Sequence, residues 1–143
     1  MEYVVSHTSD KSHYKAGACI VWCFDARFSD LLFALIREQH LEKVDIIMVA
    51  GGAQELADDE SKERKAYLLD QLKKSNMLHH SPRVILMAHT ECGAYGGNLD
   101  HEFYKKELMH ALHTVRTFFA KENISAHVDA YLADFNGLIQ VEE

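Results

Sequence analysis

A chain of 143 residues has room for one hydrophobic core and not for two, so a single site is expected to carry its function. Fifteen Lys and Arg against 22 Asp and Glu leave a net charge of −7, the wrong sign for gripping a phosphate backbone, while 48% hydrophobic residues place the chain among folded globular domains. No apolar run approaches the roughly 20 residues of a bilayer span, and Met1 to Lys15 lacks the apolar core of a signal peptide, so the expected setting is cytoplasmic, with neither membrane nor nucleic acid as partner.

The first 17 residues read as an N-terminal arm, polar apart from a candidate strand at Tyr3 to Val5, and residues 18–143 as one α/β domain. Ala18 to Cys23 is a short apolar, partly β-branched run that predicts a strand, followed by a helix to about His40 with Ser29 or Asp30 as its cap. Val44 to Val49 repeats the strand signal, Gly51-Gly52 interrupts it, and a charged, Leu-containing stretch from about Asp58 to Asn76 predicts the second helix. Arg83 to Ala88 is a third strand, again ended by a glycine loop. Leu108, Leu112, Val115 and Phe119 then recur at helical spacing from about Glu102 to Lys121. Ala126 to Leu132 predicts a fourth strand and Leu138 to Val141 a fifth. The alternation implies right-handed βαβ units: an α/β fold with a mostly parallel sheet of four or five strands, order 2-1-3-4, a fifth strand antiparallel if it forms, and helices on both faces.

In such a sheet ligands bind beyond the carboxyl ends of the strands, where the winding reverses. Just past the first strand stand Cys23, Asp25 and Arg27, and at the end of the third stand His89 and Cys92. Neighbouring parallel strands lie about 4.8 Å apart, so Cys23 can meet His89 and Cys92 without distortion. Two thiolates and a neutral imidazole suit Zn²⁺, one per chain, and three protein ligands in place of four leave a position open for water or substrate. Two thiolates also cancel the ion's charge, so acidifying a bound water needs help. Asp25 can accept a hydrogen bond from that water, and Arg27 can hold the carboxylate ionised. Cys19, four residues before Cys23, reads as core. His79-His80 reads as a solvated helix end, and His110 with His113 as an exposed polar stripe.

The two motifs, Cys-x-Asp-x-Arg at residues 23–27 and His-x-x-Cys-Gly at residues 89–93, resemble the signature of the β-class carbonic anhydrases, and Ala50-Gly51-Gly52 resembles that family's turn after the second strand. The resemblance spans roughly residues 18 to 132. It implies Cys23, His89 and Cys92 as zinc ligands, Asp25 and Arg27 as the gating pair, and reversible hydration of CO₂ to bicarbonate and a proton by metal-bound hydroxide. On that reading the backbone at Gly52 and Gly93 contacts substrate oxygens. Met48-Val49 stands where the family usually has Arg-Asn, which predicts a more apolar pocket. A hydrolase of carbonyl sulfide or carbon disulfide on the same scaffold is one rival reading, and a non-catalytic zinc or thiol module closed by Asp25 is another. Phe103, Phe118 and Phe119 and apolar sheet edges predict a homodimer or larger homo-oligomer.

Overall fold

The structure, a computed structural model, describes residues 1–142; the last residue of the expected domain, 143, lies outside the described residues. Five strands form one sheet: β1 (Ala18–Cys23), β2 (Val44–Val49), β3 (Arg83–His89), β4 (His127–Asp134) and β5 (Gly137–Val141). Their order is β2-β1-β3-β4-β5, with the first four parallel and β5 antiparallel to β4. Four α-helices connect them: α1 (Ser29–Glu38), the one-turn α2 (Gln54–Ala57), α3 (Lys62–His79) and α4 (His101–Lys121).

The chain moves from β1 outward to β2, then back over β1 to β3 and on to β4. With right-handed crossovers this puts α1 on one face and α3 and α4 on the other, and α3 packs on β1 while α4 packs on β3 and β4. The reversal falls between β1 and β3, so the carboxyl ends of these two strands frame the site. Both are buried on both faces, which is why they read as unbroken apolar runs. Ile20, Trp22, Ile85, Leu86, Met87, Leu108 and Leu112 form the centre of the core.

Several expectations need correction. Tyr3 to Val5 forms no strand and is exposed, since nothing pairs with it. Neither Ser29 nor Asp30 caps α1; a single 3₁₀ turn at Ala26–Phe28 precedes that helix, and it is Asp25 that caps the turn, accepting from the Arg27 N–H. The second long helix starts at Lys62, capped by Ser61, because residues before it form α2 and a loop. Phe119 lies in the core and offers no surface to a partner, whereas Phe103 is partly exposed.

At the amino ends of the strands, Asp45 of β2 gathers three donors: the Tyr14 hydroxyl at 2.6 Å, the Ser75 hydroxyl at 2.6 Å and His79 Nδ1 at 2.8 Å. His79 is therefore a half-buried partner of a carboxylate and not a solvated helix end, since α3 ends directly over Asp45. Through Tyr14 the same carboxylate fastens residues just ahead of β1 to the sheet. Cys19 lies in the core as expected, and burial pushes its thiol up to about 12.

Candidate metal centre

Three donors converge at the reversal point. Cys23 ends β1, His89 ends β3 and Cys92 follows three residues later; all three are buried, and their donor atoms lie within 4.8 Å of one another. Among the described residues this is the cluster whose residue types and spacing could hold a metal ion.

Each side chain is fixed by its own stretch of backbone. His89 Nδ1 lies 2.7 Å from the Thr90 carbonyl, which makes it the protonated nitrogen and turns the Nε2 lone pair into the cluster. Nε2 is buried and has no hydrogen-bond partner, an orphan that an electrophile would satisfy. The Thr90 N–H donates to the Ala133 carbonyl at 2.9 Å, tying the end of β3 to β4. The Cys23 thiol is pulled down: the neighbouring Cys92 thiol donates to its sulfur, burial opposes the shift, and the His89 ring with the N–H groups of Asp25 and Gly51 adds to it. Cys92 is pushed up, since the thiolate beside it and its own burial both resist a second negative charge. A dication held by Cys23, His89 and Cys92 would remove that conflict by accepting both sulfurs as thiolates. The donor set therefore fits zinc.

Beside the cluster, Arg27 grips Asp25 through both carboxylate oxygens: Nε lies 3.1 Å from each, and one terminal nitrogen 2.7 Å from Oδ2. This forked contact holds the Asp25 carboxyl down at about 2, well below its usual range. The same terminal nitrogen donates to the Glu91 carbonyl at 3.2 Å. Glu91 presents that carbonyl from a left-handed backbone, φ 55°, between two of the candidate ligands. The loop carrying the pair is held from beneath by Trp22, whose indole N–H donates to the Phe28 carbonyl at 3.1 Å within the core.

A cavity of about 340 Å³ opens onto Cys23 and Cys92 and is lined chiefly by Phe24, Asp25, Ala50, Gly51, Gly93 and Ala94. Ala50 belongs to the Ala50-Gly51-Gly52 turn singled out in the sequence, whereas Phe24 and Ala94 were not singled out as site residues. Gly93 borders this cavity. Gly52 does not: its N–H is taken by the Val49 carbonyl at 3.2 Å, and its bare Cα lets the turn press on β3, where a Cβ would collide with the Met87 carbonyl. Met48 is partly exposed on the edge strand, and Val49 lines a neighbouring apolar cleft with Tyr67 and Leu68. Neither Met48 nor Val49 lines the cavity that opens onto Cys23 and Cys92, so these two side chains do not supply the more apolar pocket expected from them.

A family model described as "Putative carbonic anhydrase" matches residues 13–134. The chain belongs to the β-carbonic anhydrase family. Its fold is shared by solved β-carbonic anhydrases: isoform I from Trichomonas vaginalis aligns with TM-score 0.62 at 12% identity, covering 95% of this chain and 87% of that one. A carbonic anhydrase from Glaciozyma antarctica aligns with TM-score 0.56 at 17% identity, covering 90% and 84%. The apo form of a carbon disulfide hydrolase aligns with TM-score 0.50 at 10% identity, covering 92% and 82%. No protein of curated function matches the sequence. In the β-carbonic anhydrase frame, Cys23, Asp25, Arg27, His89 and Cys92 all come together at one end of the sheet, as their spacing predicts.

Proposed function

We propose that this chain catalyses the zinc-dependent, reversible hydration of CO₂ to bicarbonate and a proton. The observation that carries the reading is the buried, partnerless Nε2 of His89 facing two buried cysteine sulfurs, with a clamped carboxylate beside them. Cys23, His89 and Cys92 would hold the ion. Zinc held there supplies Lewis acidity, which lets water lose a proton near neutral pH.

The protein's own groups do the rest. Asp25, kept ionised by Arg27, accepts a hydrogen bond from the attacking oxygen and so aims its lone pair at the carbon of CO₂. The lining of Phe24, Ala50 and Ala94 suits a small, uncharged, apolar substrate. As the carbon–oxygen bond forms, one C=O electron pair moves onto oxygen, and the proton of water leaves for solvent. Backbone at Gly93 borders the developing charge, and Gly52 shapes the floor beneath it by letting the turn approach β3. What supports this reading over a permanently closed structural site is the forked grip of Arg27, which engages both Asp25 carboxylate oxygens.

Two further elements belong to the same proposal. A homodimer or larger homo-oligomer is supported by β2, an edge strand that leaves Ile46 and Met48 partly exposed. A cytoplasmic setting is supported by the three free cysteines, two of which must stay reduced to bind metal. No helix of the described residues is long and apolar enough to cross a membrane.

Stopped-flow CO₂ hydration at mildly alkaline pH, on protein of measured zinc content, tests the reaction. Fast hydration that Cys92→Ser abolishes is expected. Absent hydration together with sulfide release from carbonyl sulfide or carbon disulfide would transfer the same site to the hydrolase reading.

A further inference from the structure

The turn between β4 and β5 presents an aromatic ring that neither the core nor the proposed reaction requires. Phe135 is 56% exposed and is flanked by two clefts, of about 480 and 430 Å³, that both count it among their walls. Its ring contacts are two residues at the edge of the metal centre. The Arg27 guanidinium carbon sits 5.3 Å from the Phe135 ring centroid, and the Phe28 ring lies 5.2 Å from it at 37°. Phe28 in turn lies 4.3 Å from the His89 ring at 30°, and Arg27 is also 5.9 Å from the Phe28 centroid. The guanidinium is thus held on one edge by Asp25, by the Glu91 carbonyl, and against two aromatic rings.

The turn that carries the ring is itself fixed. Asp134 Oδ1 accepts the N–H of Asn136 at 2.8 Å and of Gly137 at 3.1 Å, and Gly137 takes a backbone conformation, φ 151°, open to glycine. The N–H beside His89 is bonded to Ala133, so turn and candidate ligand share one frame. A two-residue turn in solvent gains nothing from phenylalanine for its own sake.

We propose that Phe135 is a positioning residue for Arg27: it walls in the guanidinium so that the forked grip on Asp25 persists. The inference rests on the reading of Asp25 and Arg27 given above. Asp25 Oδ2 lies 3.7 Å from His89 Nε2, so a carboxylate released by Arg27 has a short path into the metal centre.

The test uses zinc-loaded protein and two readouts. By ¹H–¹⁵N NMR, the Nε–H of Arg27, assigned by its loss in Arg27→Lys, exchanges with water about two- to fivefold faster in Phe135→Ala and Phe135→Leu, the range expected for losing an exposed cation–π contact, and stays slow in Phe135→Trp. In CO₂ hydration, kcat/KM falls by a similar factor in Phe135→Ala, recovers in Phe135→Trp, and shows no further fall when Phe135→Ala is added to Arg27→Lys. Unchanged Nε–H exchange in Phe135→Ala, or an undiminished further fall in the Arg27→Lys background, would overturn the proposal. If the unmutated protein does not hydrate CO₂, the functional reading fails on that result alone, and the exchange measurement still decides for or against Phe135.

Discussion

Asp25 and His89 face each other at the candidate metal centre, 3.7 Å from Oδ2 to Nε2, while the same carboxylate oxygen is held at 2.7 Å by Arg27. On the proposed reading, the balance between these two contacts decides whether a fourth ligand position is open. Asp25→Asn keeps the shape and removes the charge, so hydration activity is expected to fall by about 10- to 100-fold, the usual cost of altering a group that orients a metal site, with zinc content unchanged. Parallel kcat/KM and zinc determinations check this; loss of zinc in Asp25→Asn would make Asp25 a ligand.

Zinc binding itself should depend on all three donors. His89→Ala and Cys23→Ser are each expected to purify with well under one zinc per chain, read by elemental analysis, because two donors cannot close the site. Stoichiometric zinc in both variants would place the metal elsewhere.

Gly52 should be irreplaceable for steric reasons. Its φ is +57°, and an added Cβ would strike the Met87 carbonyl of β3, a backbone atom that cannot move aside. Gly52→Ala is expected to cost about 2–4 kcal/mol in denaturant unfolding, from backbone strain plus displacement of the turn. A variant as stable as the parent would mean that the turn can re-form without a left-handed residue.

At the far end of the sheet, Tyr14 makes stability fall at high pH. Its hydroxyl donates to Asp45, with burial adding to the effect, and its pKa is raised from 10 to about 12. A group that binds its proton more tightly when folded stabilises fully below its unfolded pKa, and that contribution drains away as pH rises through the folded value. Between pH 10 and 12, Tm is therefore expected to drop more steeply in the parent than in Tyr14→Phe, which has no such proton to lose. Identical slopes would contradict the role of this hydrogen bond.

The same carboxylate acts in the opposite direction at low pH. Burial raises the Asp45 pKa, but Ser75, Tyr14 and His79 together outweigh it and leave it lowered, so its stabilising effect is present at neutral pH and is lost in acid. Asp45→Ala leaves the buried Ser75 and the half-buried Tyr14 and His79 without their acceptor and is expected to cost about 2–3 kcal/mol at pH 7, measured by urea unfolding.

The strands and the metal centre are written plainly in the sequence for physical reasons. β1 and β3 are buried on both faces and so appear as unbroken apolar runs, while Cys23, His89 and Cys92 are donor types that suit zinc, placed at or just past the ends of these strands. What stayed hidden depends on backbone geometry. Met48 and Val49 look like pocket residues in the alignment of motifs, yet β2 is an edge strand whose side chains turn toward solvent and a neighbouring cleft. The Gly52 N–H looks available until the turn commits it to Val49. Phe135 lies between two short apolar runs, and only the β4–β5 turn brings it onto Arg27.

The most direct measurement is a zinc titration of metal-stripped protein with the CO₂ hydration rate read at each addition. A rate that climbs linearly to one equivalent and then levels off, with Cys92→Ser flat throughout, is the predicted result. A protein that takes up one equivalent through Cys23, His89 and Cys92 and still hydrates CO₂ no faster than buffer would contradict the proposed activity.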